Sequence, residues 1–286
     1  MWAGNAVVGR MMQGVVPPVT LNFLRWALAL LMLLPLAGWV LRPGSGLWPH
    51  WRRFTLLGLL GVGTYNTLQY MALKTSTPLN VTLVASSIPV WMLIMGRIFY
   101  AAPISRRAAL GAFMSLCGVA VVIARGDLQG LLSVQWVPGD LMVLLAALAW
   151  AWYSWLLARP PANEPSAIKA DWAAFLLAQV VFGLIWSATF TAGEWLTLPA
   201  GGSAIQWGWP LVAGLVFVAV GPSLLAYRSW GAAVARVGPA TAGIFSNLTP
   251  LFAALLSATL LREPPQLYHL AGFVLIVGGI LVSSRR

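Results

Sequence analysis

Apolar segments of this chain contain amide, hydroxyl and aromatic side chains that could together bind a small molecule. Tyr65 and Gln69 are spaced i and i+4, and Trp150 and Tyr153 are spaced i and i+3, so each pair shares one helix face. Amide and hydroxyl groups can solvate the backbone of an amino acid, and aromatic faces can contact its side chain or an organic cation. The candidate substrate-binding residues that share this chemistry are Asn5, Tyr65, Gln69, Ser86, Trp91, Trp150, Tyr153, Tyr227 and Asn247.

The same polar side chains could instead hold helices together, which is a common role for them in membrane bundles. For Ser87 and Thr249 this structural role is the interpretation that we favour. Trp26 lies near the end of an apolar run, a position typical of an anchor at the membrane interface.

Two arginines lie inside apolar runs. Arg228 could meet a substrate carboxylate, or its side chain could snorkel to the inner interface. Arg25 lies in the outer quarter of its run and is expected to snorkel outward. The middle of every run lacks Asp and Glu, whereas proton-coupled pumps usually hold a titratable group near the midplane. The default expectation is therefore a facilitator driven by the substrate gradient.

The sequence offers few groups for catalysis or for a bound cofactor. It has one Cys and two His, and it contains neither an HExxH nor a GxSxG motif. We therefore predict no enzymatic activity, no metal site and no cofactor. The formal net charge is +11, but the cations lie singly or in pairs at the ends of apolar runs. That distribution is typical of membrane topology, so no nucleic-acid partner is predicted.

Transmembrane helices must position these residues, because the chain is 60% hydrophobic and only 8% charged. About 20 apolar residues cross a bilayer as a helix. Nine runs approach or exceed this length: 20–41, 54–73, 78–100, 108–124, 138–158, 168–192, 209–235, 239–261 and 266–283. The shorter apolar segment 1–13 is interpreted as part of a first helix, which gives a predicted total of ten. The predicted fold is thus an all-α polytopic membrane protein in contact with the lipid bilayer.

The distribution of Lys and Arg in the short loops predicts the orientation. Most of these residues lie in the even-numbered loops and at the C-terminus. The prediction is a multi-pass protein of the inner membrane with both termini in the cytoplasm. A monomer is expected.

An internal repeat divides the chain into two halves. Three prolines and two glycines recur 161 residues further on without a gap: Pro78, Pro89, Pro103, Gly111 and Gly118 map onto Pro239, Pro250, Pro264, Gly272 and Gly279. The predicted domains are 1–124 and 138–286, each with five helices, joined by a linker at 125–137. An odd number of helices per half requires opposite membrane orientations, an architecture known in transporters. Pro89 and Pro250 are expected to bend their helices.

On these residues the chain resembles the drug/metabolite transporter superfamily, and in particular the EamA-type ten-helix exporters. The resemblance depends on the sequence WAGN at Trp2–Asn5, on the two helix prolines and on Arg-Glu-Pro at Arg262–Pro264. It is closest to the YddG-like amino-acid exporters. The corresponding position in the first half reads Ala-Ala-Pro at Ala101–Pro103, without the acidic residue.

This resemblance implies an inverted repeat around a central cavity, with export by alternating access. It also implies that the first, third, fourth, sixth, eighth and ninth helices line the cavity, and that the fifth and tenth are peripheral. The predicted function is export of amino acids, including aromatic or large neutral ones, and of related small metabolites. The alternative is a multidrug or other metabolite carrier on the same fold, and an intramembrane enzyme is a more distant one.

Overall fold

A computed structural model describes residues 1–76, 78–124, 137–198, 205–252 and 266–284. All regular secondary structure in these ranges is helical. The α-helices are α1 (Trp2–Met11), α2 (Pro18–Ala37), α3 (Trp51–Leu57), α4 (Tyr65–Ala72), α5 (Pro78–Ala85), α6 (Ile88–Tyr100), α7 (Arg106–Ile123), α8 (Pro138–Ala158), α9 (Ser166–Ala170), α10 (Trp172–Thr197), α11 (Trp209–Val218), α12 (Ala226–Val237), α13 (Pro239–Ser246) and α14 (Leu267–Ser284). The motif Arg262–Pro264 and nearly all of the predicted linker lie outside the described residues.

Seven helical segments within the described ranges are long and apolar enough to cross a membrane. They are Pro18–Leu41, Val81–Tyr100, Arg106–Ile123, Pro138–Ala158, Trp172–Thr197, Trp209–Val237 and Leu267–Ser284. These segments support the predicted class of an all-α, multi-pass membrane protein. The total of ten helices and the inverted repeat remain predictions.

The chain forms two compact units. Unit 1 comprises Met1–Met71 and Arg159–Ala232, and unit 2 comprises Ala72–Ala158 and Ala233–Arg286. Each unit therefore combines segments from the first and the second half of the sequence.

Glycine allows two helical segments of unit 1 to touch through their backbones. Gly58 begins a π-helical segment, Gly58–Thr64, that joins α3 to α4. A Cβ atom on Gly58 would lie 2.5 Å from the carbonyl oxygen of Gln179 and 2.6 Å from the nitrogen of Gly183, both on α10. Only a residue without a side chain fits here, so Gly58 fixes the distance between this segment and α10.

In unit 2, helices α7 and α14 pack antiparallel through four glycines. A Cβ on Gly111 would lie 2.5 Å from the carbonyl oxygen of Gly279, and a Cβ on Gly118 would lie 2.8 Å from that of Gly272. The predicted repeat makes Gly111 correspond to Gly272 and Gly118 to Gly279. Each contact therefore joins one glycine to the repeat counterpart of the other: Gly111 meets Gly279, and Gly118 meets Gly272. Close backbone approach through small residues is the usual basis of helix association in lipid.

Interrupted helices also occur at corresponding places in the sequence. A second π-helical segment, Ala219–Leu225, joins α11 to α12 and begins 161 residues after Gly58. In unit 2 a two-residue turn at Ser86–Ser87 is separated by one residue from Pro89, and the corresponding turn at 247–248 is likewise separated by one residue from Pro250. Each interruption frees backbone carbonyls that side chains can bind.

The start of α2 is held by a carboxylate from α10. Glu194 Oε1 accepts a hydrogen bond from the Val19 amide at 3.1 Å, and Oε2 accepts from the Thr20 amide at 2.8 Å and the Thr20 hydroxyl at 2.9 Å. The N-terminus of a helix carries unpaired amides and a partial positive charge, which a carboxylate stabilises. Glu194 therefore fixes the position of α2 in unit 1.

We expect Glu194→Gln to lower the free energy of unfolding by about 1–2 kcal/mol, because a neutral amide retains only one acceptor oxygen for these donors. The thermal unfolding midpoint of the purified protein measures the effect. Thr189→Val on the same helix is the control, since the exposed Thr189 hydroxyl bonds only to the carbonyl of Ile185 one turn earlier. Equal midpoints for Glu194→Gln and the unaltered protein would contradict this role.

Candidate functional site

A buried arginine on α2 is the centre of the most polar region of unit 1. The Arg25 side chain is 1% exposed, and its Nε donates a hydrogen bond to Ser223 Oγ at 3.0 Å. Its Nη1 donates to three further oxygens, which are Asn5 Oδ1 at 3.3 Å, Asn66 Oδ1 at 3.4 Å and Tyr70 Oη at 3.2 Å. We call these five residues the Arg25 cluster.

The cluster draws on four helical segments that are distant in sequence. Asn5 comes from α1, Asn66 and Tyr70 come from α4, and Ser223 comes from the π-helical segment before α12. Asn66 and Tyr70 are four residues apart, so both reach α2 from the same face of α4. The fold thereby surrounds one cation with neutral oxygen atoms.

The expectation that Arg25 snorkels outward is wrong. Arg25 lies seven residues after Pro18, about 10 Å along the helix axis from the start of α2. Snorkelling avoids the cost of burying a charge, but here four neutral side chains replace part of the lost hydration. A charge that stays inside a membrane bundle at such a cost usually marks a functional site.

A chain of hydrogen bonds fixes the orientation of the partners. Tyr70 Oη donates to Asn5 Oδ1 at 3.1 Å, and Asn66 Nδ2 donates to Tyr227 Oη at 3.3 Å. The Tyr227 hydroxyl in turn donates to the carbonyl of Gly61. Because the donors of these side chains point away from Arg25, their acceptor oxygens are held toward the guanidinium.

The π-helical segment supplies carbonyls to this network. The Gly61 carbonyl accepts from Tyr227, and the Val62 carbonyl accepts from Asn22 Nδ2 at 3.1 Å. Asn22 Nδ2 also donates to Thr67 and Ser187 hydroxyls. These two carbonyls of the π-helical segment are thus accessible to side chains from α12 and α2.

Trp26 forms the aromatic side of the cluster. The guanidinium carbon of Arg25 lies 5.1 Å from the Trp26 ring centre, a cation–π distance. The Tyr227 ring meets the Trp26 ring edge-on at 4.9 Å. Trp26 is completely buried, so its interpretation as an interface anchor is wrong. Its Nε1 has no hydrogen-bond partner among the described residues.

The remaining candidate residues of unit 1 lie in two different environments. Gln69 Nε2 donates to Tyr65 Oη at 3.1 Å, and both side chains are partly buried on α4. Arg228 is exposed on α12, with its guanidinium carbon 4.9 Å from the ring centre of Trp172. Asn5 is therefore part of the Arg25 cluster, and Tyr227 contacts the cluster through Asn66. Arg228 lies outside it.

The candidate residues of unit 2 pack as follows. Trp150 and Tyr153 are 1% and 2% exposed, and their ring centres lie 5.0 Å apart. Trp91 Nε1 donates to Ser87 Oγ at 3.0 Å, and Ser86 Oγ donates to the Leu83 carbonyl at 2.6 Å. These bonds satisfy polar groups beside the interruption that precedes Pro89.

Asn247 joins the two interrupted helices of unit 2. Its Nδ2 donates to the Ser86 carbonyl at 3.2 Å and to the Ser115 hydroxyl at 3.0 Å. Asn247 and Ser86 are 161 residues apart, so they are corresponding positions of the predicted repeat. The Pro89 Cα lies 3.3 Å from the position that a Cβ on Gly243 would take, which places α6 directly against α13.

Sequence reasoning missed Arg25, Asn66 and Tyr70 as the centre of the polar region. Asn66 and Tyr70 flank the stripe of Tyr65 and Gln69, and their i, i+4 spacing was the available signal. Within the described residues, no group of three His, Cys, Asp or Glu side chains is placed to hold a metal ion.

A helical bundle that buries a cation among amides and aromatic rings within apolar helices is typical of a membrane protein with a functional site inside the bundle. Comparison with known proteins gives the family: residues 1–124 and 137–285 both match the EamA-like transporter family. The chain belongs to this family, and through it to the drug/metabolite transporter superfamily.

Two relatives agree with this assignment, and a solved structure shares the fold. An uncharacterized transporter of Archaeoglobus fulgidus is 23% identical over 289 residues, covering 100% of this chain and 94% of the relative. The aromatic amino acid exporter YddG of Ancylobacter novellus is 26% identical over 238 residues, covering 83% of this chain and 76% of the exporter. A protein crystal structure at 22% identity superposes with a TM-score of 0.74, covering 99% of this chain and 92% of the other. The last comparison shows the fold alone.

Proposed function

We propose that the protein exports amino acids, including aromatic or large neutral ones and related small metabolites, across the inner membrane by alternating access. The observation that carries this proposal is the Arg25 cluster. It places a cation, neutral oxygens and the Trp26 and Tyr227 rings together inside apolar helices. Such a combination suits a zwitterion with an apolar side chain. The similarity to an aromatic amino acid exporter supports the same substrate class.

The proposed architecture is ten helices in two inverted repeats, with both termini in the cytoplasm. The exchanged glycine contacts of α7 and α14 support it, because Gly111 pairs with Gly279 as Gly118 pairs with Gly272. The two π-helical segments begin 161 residues apart, which is the offset of the predicted repeat, and this supports the architecture as well. A two-fold relation between inverted halves would produce both patterns.

Candidate residues of unit 2 have a proposed role in the same function. Trp91, Trp150 and Tyr153 would supply aromatic surface to the transport pathway, and Pro89 and Pro250 would provide bending points where backbone pairing is interrupted. For Ser86 and Asn247 the hydrogen bond between them favours a structural role at these interruptions.

Transport by the purified protein in proteoliposomes tests the proposal. Labelled tryptophan, phenylalanine, leucine, glycine and aspartate, and a quaternary ammonium dye, would be offered with and without a pH gradient. We expect saturable transport of the large neutral amino acids that exceeds transport by protein-free liposomes. Transport of the dye alone would overturn the proposal in favour of a multidrug carrier.

A further inference from the structure

We propose that Arg25 binds the carboxylate of the transported substrate, so that a carboxylate is a requirement for transport. This inference depends on the proposed export function and names the group of the substrate that the site recognises. It assigns the role of carboxylate partner to a residue of α2 that lies among Asn5, Asn66 and Tyr70.

The first argument is the number of hydrogen-bond donors that remain unused. A guanidinium has five N–H groups in a fixed plane. Nε and Nη1 of Arg25 account for all of its hydrogen bonds within the described residues, and Nη2 makes none there. The adjacent Trp26 Nε1 is also unpaired within that part of the chain, although the side chain is fully buried. Arg25 Nη2 and Trp26 Nε1 are thus donors that a ligand with acceptor oxygens would satisfy.

The second argument is the charge of the site. The partners of Arg25 are two amides and two hydroxyls, all of them neutral. The Glu164 carboxylate forms an ion pair with Arg53. The Glu194 carboxylate binds Val19 and Thr20 at the start of α2. A buried cation with neutral partners is expensive, and an anionic group bound beside it lowers that cost.

The third argument is geometric. The neutral partners hold the Nε and Nη1 side of the guanidinium in place, which leaves Nη2 to donate a charge-assisted hydrogen bond to a carboxylate oxygen. Because the partners are locked by their own hydrogen bonds to Tyr227 and Asn5, the cation is pre-organised before a ligand arrives. The Trp26 ring against the guanidinium positions an apolar surface next to the carboxylate subsite.

Competition between analogues of tryptophan tests this inference on the unaltered protein. Indole-3-propionate keeps the carboxylate and lacks the ammonium group, whereas tryptamine keeps the ammonium group and lacks the carboxylate. We expect indole-3-propionate to inhibit tryptophan counterflow in proteoliposomes, and tryptamine to inhibit it at least about tenfold more weakly. Equal inhibition by the two analogues would overturn the inference.

Variants locate the effect at Arg25. Arg25→Gln is expected to lower tryptophan counterflow by about tenfold or more and to abolish the preference for indole-3-propionate over tryptamine, and Arg25→Lys is expected to restore part of both. Arg228→Gln is the matched control, since it removes an exposed cation, and it is expected to keep the analogue preference. A folded Arg25→Gln protein with an unchanged preference would also overturn the inference.

Failure of the inference can be distinguished from failure of the proposed function. If the unaltered protein transports tryptophan but accepts tryptamine equally well, amino-acid export stands and the role of Arg25 is wrong. If the unaltered protein transports no amino acid at all, the proposed function is wrong and this inference falls with it. Should Arg25→Gln fail to fold, the analogue competition still tests the requirement for a carboxylate, and the reduced preference expected of Arg25→Lys tests the role of Arg25.

Discussion

Gly58→Ala is expected to yield little folded protein and to lower the thermal unfolding midpoint of what remains by about 10 °C, which corresponds to about 3 kcal/mol. The added Cβ would lie 2.5 Å from the Gln179 carbonyl oxygen and 2.6 Å from the Gly183 nitrogen. Both are backbone atoms of α10, which cannot rotate away as the atoms of a side chain can. The π-helical segment and α10 must therefore separate, and the packing along their whole interface is lost.

Gly193→Ala is the matched control, because Gly193 lies on the same α10 helix and a Cβ there meets no atom within 4 Å. An alanine in an exposed helical position is expected to be neutral or slightly stabilising. Folded yield from size-exclusion chromatography and the thermal midpoint measure both variants. If Gly58→Ala behaved like Gly193→Ala, the close approach of these two segments would be wrong.

Trp150→Ala is expected to lower the free energy of unfolding by about 3–5 kcal/mol, the usual cost of truncating a buried tryptophan. Trp150 is 1% exposed and packs on the Tyr153 ring. The cavity left by the indole cannot be refilled without moving α8. Thermal unfolding of the purified variant measures the loss, and tryptophan transport normalised to folded protein measures any role in substrate contact.

Trp152→Ala separates the two effects, since Trp152 is two residues further along the same helix and 42% exposed, stacked on Phe99. We expect this variant to lose much less stability than Trp150→Ala. Reduced transport per folded molecule in Trp150→Ala alone would support the proposed aromatic wall. Unchanged transport per folded molecule would restrict Trp150 to packing.

Hydropathy predicted the main spans well because it reports which residues must avoid water. The run predicted at 138–158 coincides with α8, and the run predicted from residue 209 begins where α11 begins. Hydropathy does not report hydrogen-bond register, so the two π-helical segments inside predicted continuous helices were not expected. It also did not predict the separation of α9 from α10, where the Asp171 carboxylate accepts a hydrogen bond from the Ala173 amide.

The candidate site was only partly predictable, because its chemistry depends on contacts between distant segments. The position of Arg25 along one helix indicated a short path to the membrane surface. Its actual environment comes from α1, α4 and Ser223, which are separated from it by 20 to 198 residues. A single sequence gives the residue types that could stabilise a buried cation, but it does not state which of them meet.

The phase of the helix that follows each π-helical segment depends on the pairing within that segment. A π-helical turn holds one more residue between hydrogen-bonded groups than an α-helical turn does. If the seven residues of Gly58–Thr64 adopted α-helical pairing instead, every later residue of α4 would rotate by about 100° relative to α3. Asn66 and Tyr70 would then face away from Arg25. Both segments have 7 residues, so the two halves keep the same phase through them. The pairing within these segments, and not only their helical character, therefore sets which side chains reach Arg25.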